Sequence, residues 1–150
     1  KKVGKMELGN PVITVLVGLV VFYIGLKMFS GGMKSMGNME HLTWFLGNPI
    51  YMFFGGIIMT LAWQSSSLST TAIIALVASG ALPLPAAVAC VLGANIGTTG
   101  TIWLAGFFVS DGMPKGDTLR IAMAHTGANL LMALALLPFV GHIAKYLERF

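Results

Sequence analysis

From Pro49 to Leu82 the chain reads PIYMFFGGIIMTLAWQSSSLSTTAIIALVASGAL, two apolar legs around the polar run Gln64-Ser65-Ser66-Ser67-Leu68-Ser69-Thr70-Thr71. The first leg, Pro49 to Trp63, has 15 residues. At about 1.5 Å per residue a helix of that length reaches roughly 22 Å, short of a ~30 Å hydrocarbon core. The second leg, Ala72 to Leu82, is shorter still. Two short legs and a polar tip predict a re-entrant helical hairpin over 49–82 rather than two full spans. Irregular backbone survives at membrane depth only where protein or a cavity lines it.

The surroundings of this stretch make the bilayer its solvent. From His41 to Ser110 there are 70 consecutive residues without Asp, Glu, Lys or Arg, and Ile121 to Ala144 adds 24 more. Over the whole chain 56% of residues are hydrophobic and 9% charged, against roughly 25% charged in soluble domains. A domain of this size hides only about 60–70% of its unfolded surface, so water is excluded as the solvent for so much uncharged chain. The expected class is an all-α integral membrane protein, multi-pass, in a plasma or bacterial inner membrane.

The net charge of +4 resides in end segments and loops, at residues such as Lys1, Lys2, Lys5, Lys34, Lys115, Lys145 and Arg149. There it meets lipid headgroups or snorkels. No basic stripe is interleaved with aromatics, which argues against nucleic acid as a partner. The single cysteine, Cys90, excludes an internal disulfide and a cysteine metal cage. His41, His125 and His142 are too scattered for a zinc site. The serines have no apparent base beside them, so nothing resembles an enzyme.

Outward from the hairpin, Pro11 to Phe29 is 19 residues with one charge, Lys27. It reads as a retained transmembrane helix over 11–29, too long for a signal-peptide core. Residues 33–46 are more polar and read as an interfacial segment. On the other side Pro85 to Val109 is uncharged and long enough to cross. Its centre, Gly93-Ala94-Asn95-Ile96-Gly97-Thr98-Thr99-Gly100, has three glycines, an Asn and two threonines in eight positions. Such composition is poor for a helix and predicts a broken transmembrane helix over 85–109. The Gly93/Gly97 spacing also fits a helix-packing seam, but Asn95 and Thr98-Thr99 favour the break. After a loop with Asp111, Pro114 and Lys115, Asp117 or Thr118 is expected to cap a last transmembrane helix over 118–140. It carries His125 and Asn129 at i and i+4, read as an interhelical hydrogen-bonding pair. Three membrane crossings plus one hairpin place the termini on opposite faces. A second copy fused behind would insert upside down, the plan of one half of an inverted-repeat transporter.

The two polar tracts carry the chemistry. In 64–71 seven of eight side chains are polar. One membrane serine usually bonds back to its own helix, but a tract of this density between apolar runs is costly unless something uses it. With Ser65 to Ser67 forming the turn, the second leg aims free amides at the tip, an anion site. Carbonyls freed around Asn95 would suit sodium. Neither tract holds Lys or Arg, so a co-bound cation is needed to neutralise an anion there.

Gln64-Ser65-Ser66-Ser67 with Ser69-Thr70-Thr71, then Gly93-Ala94-Asn95-Ile96-Gly97-Thr98-Thr99, resembles the type II sodium/phosphate cotransporter family. Gly25-Leu26-Lys27-Met28-Phe29 is similar to its opening helix, and Ala124-His125 through Asn129 to its closing one; the resemblance runs from about Val17 to Pro138. It implies sodium-coupled inorganic phosphate transport by alternating access, with sodium as coupling ion and no other cofactor. It assigns Gln64, Ser65, Ser66, Ser67, Thr98 and Thr99 to phosphate. Ser67, Ser69, Thr70, Asn95 and Thr98 are assigned to sodium, with His125 and Asn129 behind them. The division between the two ligands stays open. Family members carry two oppositely oriented repeats and this chain has one, so it is half of a longer protein or two copies pair antiparallel. The crossing count puts Lys1, Lys2, Lys5, Lys115 and Arg120 on one side and Lys27, Lys34, Lys145 and Arg149 on the other. Near balance favours an antiparallel, dual-topology homodimer. Phosphate export, a passive anion pore and a purely structural membrane module are the competing readings.

Overall fold

The computed structural model describes residues 10–36, 40–109 and 116–150. Lys1, Lys2, Lys5, part of the interfacial segment (37–39) and the loop residues Asp111, Pro114 and Lys115 lie outside them. The described residues form helices and turns with no strand: α1 (Pro11–Met36), α2 (Glu40–Gly47), α3 (Pro49–Trp63), α4 (Ser66–Ala78), α5 (Leu84–Val109), α6 (Asp117–Leu136), a 3₁₀ turn (Leu137–Phe139) and α7 (Val140–Leu147).

Three stretches are long and apolar enough to cross a membrane: Pro11–Gly32, Leu84–Leu104 and Asp117–Leu147. α1 runs further than 11–29, into the first residues of the segment read as interfacial, most of the rest of which is α2, since Gly31 and Gly32 alone do not end it; the Ser35 hydroxyl donates to the Gly31 carbonyl at 3.0 Å within the same helix. The last span begins one residue early. Gly116, at φ 62°, occupies the cap position and no side chain caps there. Asp117 instead enters the first turn and pairs with Arg120 at 3.1 Å, a carboxylate at the positive end of the helix dipole. Pro138 lacks an N–H and marks the 3₁₀ turn that separates α6 from α7.

Local signals place the two short helices. Asn48 caps α3, its side-chain oxygen accepting from the Ile50 amide at 2.9 Å, with Pro49 following at the first helical position. α4 ends in a Schellman turn: Gly80 takes φ 76°, its amide donates to Val77 at 2.9 Å, and the Ala81 amide donates to Leu76 at 3.0 Å.

The expected break in 85–109 is absent. α5 is one continuous helix through Gly93–Gly100, and the reason is its neighbour. α3 and α5 run side by side in the same direction, and a Cβ added at Gly93 would lie 1.9 Å from the Phe53 carbonyl oxygen. At Gly56 it would lie 2.0 Å from the Cys90 carbonyl oxygen, and at Gly97 2.8 Å from that of Ile57. The glycines let two backbones touch, which gains close packing in a medium where apolar burial supplies little. Unwinding would leave polar backbone unpaired at a cost of several kcal/mol per group. The core continues on either side of this seam, with Met52, Ile73, Leu76, Ala86 and Cys90 in one cluster and Phe53, Ala89, Leu92, Ala133 and Val140 in another. α1 packs mainly on α4, tied by the Ser30 hydroxyl donating to the Ala75 carbonyl at 3.0 Å. Most of its apolar surface is exposed, as suits a helix facing lipid.

Candidate functional site

The polar run falls where α3 stops and α4 starts. Gln64 sits at φ 52°, ψ 28°, the left-handed region, and among the described residues no other non-glycine has positive φ. Ser65 is extended at φ −149° and caps α4, its hydroxyl oxygen accepting from the Leu68 amide at 3.2 Å. Two residues therefore separate the helices, and each helix end exposes orphan groups. Among the described residues no hydrogen bond reaches the amides of Ser65, Ser66 and Ser67, or the carbonyls of Ala62, Trp63 and Gln64. Donors and acceptors thus lie together at one break. The free carbonyls expected from an unwound α5 are supplied instead by the end of α3.

The hydroxyls divide into two sets. Ser66, Ser67 and Thr70 lie on one side of α4, and none of their hydroxyls makes a hydrogen bond among the described residues. Ser69 is fully buried; its hydroxyl donates to the Ser65 carbonyl at 3.0 Å and accepts from the Thr60 hydroxyl at 2.9 Å. Thr71 donates to its own helix at Ser67, 2.8 Å. The Gln64 side-chain amide donates to the Leu61 carbonyl.

On α5, Thr98 donates to Ala94 at 2.9 Å and the buried Thr99 to Ile96 at 2.7 Å. A hydroxyl whose proton is engaged this way offers only lone pairs outward. Asn95 is half-buried, and its side chain makes no hydrogen bond among the described residues. At about 100° per residue it points roughly 200° away from Gly93 and the α3 seam. No hydrogen bond among the described residues joins Asn95, Thr98 or Thr99 to Gln64–Ser67.

His125 and Asn129 are paired within α6, the Asn129 amide donating to the His125 carbonyl at 3.1 Å. The interhelical bond expected of them is made by their neighbours: Trp103 on α5 donates to the Thr126 hydroxyl at 2.9 Å. His125 Nδ1 is buried with no hydrogen-bond partner among the described residues. Two residues without a role in the sequence reading thus join helices: Thr60 ties α3 to α4 across the break, and Thr126 ties α6 to α5. Their only sequence signal is a hydroxyl in an apolar run.

Of two apolar cavities, only the smaller reaches the break. One of about 260 Å³ lies under α1, lined by residues including Phe29, Trp63, Leu68 and Ala72. A larger groove of about 420 Å³ lies between α4, α5 and α7, with Ile73, Val77, Val88 and Leu147 among its hydrocarbon walls.

Three candidate spans and a polar helix break define a multi-pass helical membrane protein that presents hydrogen-bonding groups within an apolar chain. Residues 21–140 match the family model described as Na+/Pi-cotransporter. The chain is 32% identical to sodium-dependent phosphate transport protein 2A of Mus musculus over 91% of its length, and 31% identical to protein 2B of Homo sapiens over 89%. The chain belongs to the Na+/Pi-cotransporter family, a family of transporters rather than enzymes. It spans about a fifth of the length of these relatives, 22% and 20% respectively. No solved structure matches it.

Proposed function

We propose that this chain is one repeat of a sodium-coupled phosphate transporter, in which two oppositely oriented repeats enclose a midplane site and alternate its exposure. The observation that carries the reading is the break at Gln64–Ser65. Among the described residues it offers three unpaired amides and three unpaired carbonyls side by side between apolar legs. The relatives are named sodium-dependent phosphate transport proteins, which supports phosphate and sodium as the two ligands.

Phosphate is bound by groups able to donate: the amides of Ser65–Ser67, the hydroxyls of Ser66 and Ser67, and the Gln64 side chain. Sodium is bound by oxygens with free lone pairs. The carbonyls at the end of α3, Thr70 and Thr98 meet that requirement; Asn95, also assigned to sodium, faces away from α3 and would serve a cation only on the opposite side of α5. Thr99, first assigned to phosphate, also fits a cation better, because its proton is engaged on Ile96. Ser69 supports the turn, its hydroxyl being committed on both sides. α3 and α4 dip into the membrane as a re-entrant hairpin and return to one face. His125 and Asn129 line the neighbouring helix.

Electrostatics explains the coupling. No Lys or Arg lies between His41 and Ser110, so an anion entering the site meets dipoles but no fixed countercharge. Opposite unit charges about 4 Å apart attract by ~4 kcal/mol at an effective dielectric of 20. A sodium ion bound beside phosphate therefore raises its affinity, and phosphate raises that of sodium by the same factor.

Uptake of radiolabelled phosphate into proteoliposomes tests this. An inward sodium gradient should drive accumulation, and replacing sodium by choline should abolish it. Flux that follows the phosphate gradient and ignores sodium would make the protein a pore.

A further inference from the structure

Thr60 is not satisfied within its own helix, as many hydroxyl residues of the membrane helices are, and unlike Ser30 it bonds to another hydroxyl rather than to a carbonyl. Ser35, Thr71, Thr98 and Thr126 each donate to the carbonyl four residues earlier in their own helix, the usual way a hydroxyl is satisfied in an apolar medium. Thr60 instead donates across the break, to Ser69 on α4 at 2.9 Å, and both side chains are fully buried. Ser69 passes the bond on to the Ser65 carbonyl at 3.0 Å, which also accepts from the Ser69 amide at 3.1 Å. From its own backbone, the Thr60 carbonyl accepts the Gln64 amide at 2.8 Å. On its remaining side Thr60 meets α5, where a Cβ at Gly97 would fall 2.8 Å from the Thr60 Cβ. One residue thus fixes Gln64, Ser65 and α5 relative to each other, although the two polar tracts share no hydrogen bond.

We infer that Thr60 is a positioning residue for the transport site. It touches no ligand; through Ser69 and Ser65 it holds the left-handed Gln64 and the free amides in register with α5. This inference rests on the proposed binding site at the break. The expected consequence is a pose effect: without the Thr60 hydroxyl, Ser69 loses its donor, the Ser65 carbonyl is less firmly held, and the amides splay.

The test compares Thr60→Val, which keeps the shape and removes the hydroxyl, with Thr60→Ser, which keeps the hydroxyl. In proteoliposomes Thr60→Val should raise the phosphate KM by up to about tenfold, as befits one buried hydrogen bond, with maximal rate and detergent melting temperature changed far less. Thr60→Ser should restore the wild-type KM. Ser69→Ala should reproduce Thr60→Val, and the double variant should be no worse than either single one. An unchanged KM in Thr60→Val, or full additivity in the double variant, overturns the inference. A readout independent of transport separates the inference from the reading it rests on. In a Cys90→Ala background, the reaction rate of a cysteine at Ser67 with a small thiol reagent should shift several-fold in Thr60→Val and not in Thr60→Ser. If the parent protein moves no phosphate, the transport reading fails, and this rate still decides whether Thr60 sets the pose of the break.

Discussion

At the scale of the residue, Gln64 joins a strained backbone to an exposed polar side chain. A left-handed conformation costs a residue with a Cβ roughly 1–2 kcal/mol, and glycine would adopt it freely. On the proposed function, Gln is kept there for its side chain, which offers a donor to phosphate. Gln64→Gly should therefore leave thermal stability in detergent within about 1 kcal/mol of the parent, relief of strain being offset by a freer unfolded chain. Phosphate uptake should fall sharply. Ser66→Ala and Ser67→Ala should likewise raise the phosphate KM without lowering the melting temperature, because neither hydroxyl makes a hydrogen bond among the described residues. Uptake at parental rates in all three variants would remove these side chains from the site. Gln64 to Thr71 was legible from sequence because so many polar side chains in an apolar setting have no cheap structural explanation. Thr60 was not, since a lone threonine in an apolar helix reads the same whether it bonds back four residues or across to a neighbour. The acceptor is a property of the fold.

Helix α5 makes the corresponding point for an element. Its composition argued for a break, and its partner decided otherwise: glycine is a poor helix former in isolation but the residue that lets α3 approach. The spacing of Gly93 and Gly97 held the correct signal, yet propensity and the neighbouring Asn95, Thr98 and Thr99 pointed the other way. Nothing in one segment's sequence says which helix will face it. The seam predicts opposite outcomes for two glycine-to-alanine changes. Gly93→Ala puts a methyl 1.9 Å from the Phe53 carbonyl oxygen, with backbone rather than a yielding side chain as the obstacle. It should destabilise by about 1–3 kcal/mol or more and lower the yield of folded protein. Gly18→Ala, on the exposed face of α1 with nothing within 4 Å, should be neutral or stabilising by up to about 1 kcal/mol. Equal melting temperatures for the two variants would mean that α3 and α5 do not pack through these glycines. Among the described residues the carbonyls without a partner lie at the end of α3 rather than in α5, so the groups proposed to bind the ions gather mainly at a single break. The start of α3 at Pro49 was legible in the sequence, but α4 runs Ser66–Ala78 rather than ending at Leu82, because the turn at Gly80 stops it.

At the scale of the molecule, the polar break carries unpaired groups, and α1 and the outer face of α6 expose apolar side chains such as Val20, Tyr23, Leu131 and Leu134. Lipid accommodates the apolar faces but not the unpaired groups of the break, which is why we place a second, inverted repeat opposite it. On the proposed topology of three crossings and a re-entrant hairpin, Asn10 and Phe150 lie on opposite faces, and both are exposed. The cations that decide orientation are nearly balanced between the sides, and each Lys or Arg close to a span end biases the outcome. For an antiparallel pair of this chain, a cysteine replacing Asn10 and, separately, one replacing Phe150, each in a Cys90→Ala background, should both be labelled from outside intact cells. About half the molecules should react in each case. Lys27→Gln, Lys145→Gln and Arg149→Gln together strip one side of most of its cations, so labelling should shift toward one of the two cysteines. Phosphate uptake should fall with it, because a population inserted one way contains no inverted partners, and co-expressing the unaltered chain should restore part of it. Exclusive labelling at one end in the unaltered charge background would rule out the antiparallel pair and require the inverted repeat to come from a longer polypeptide.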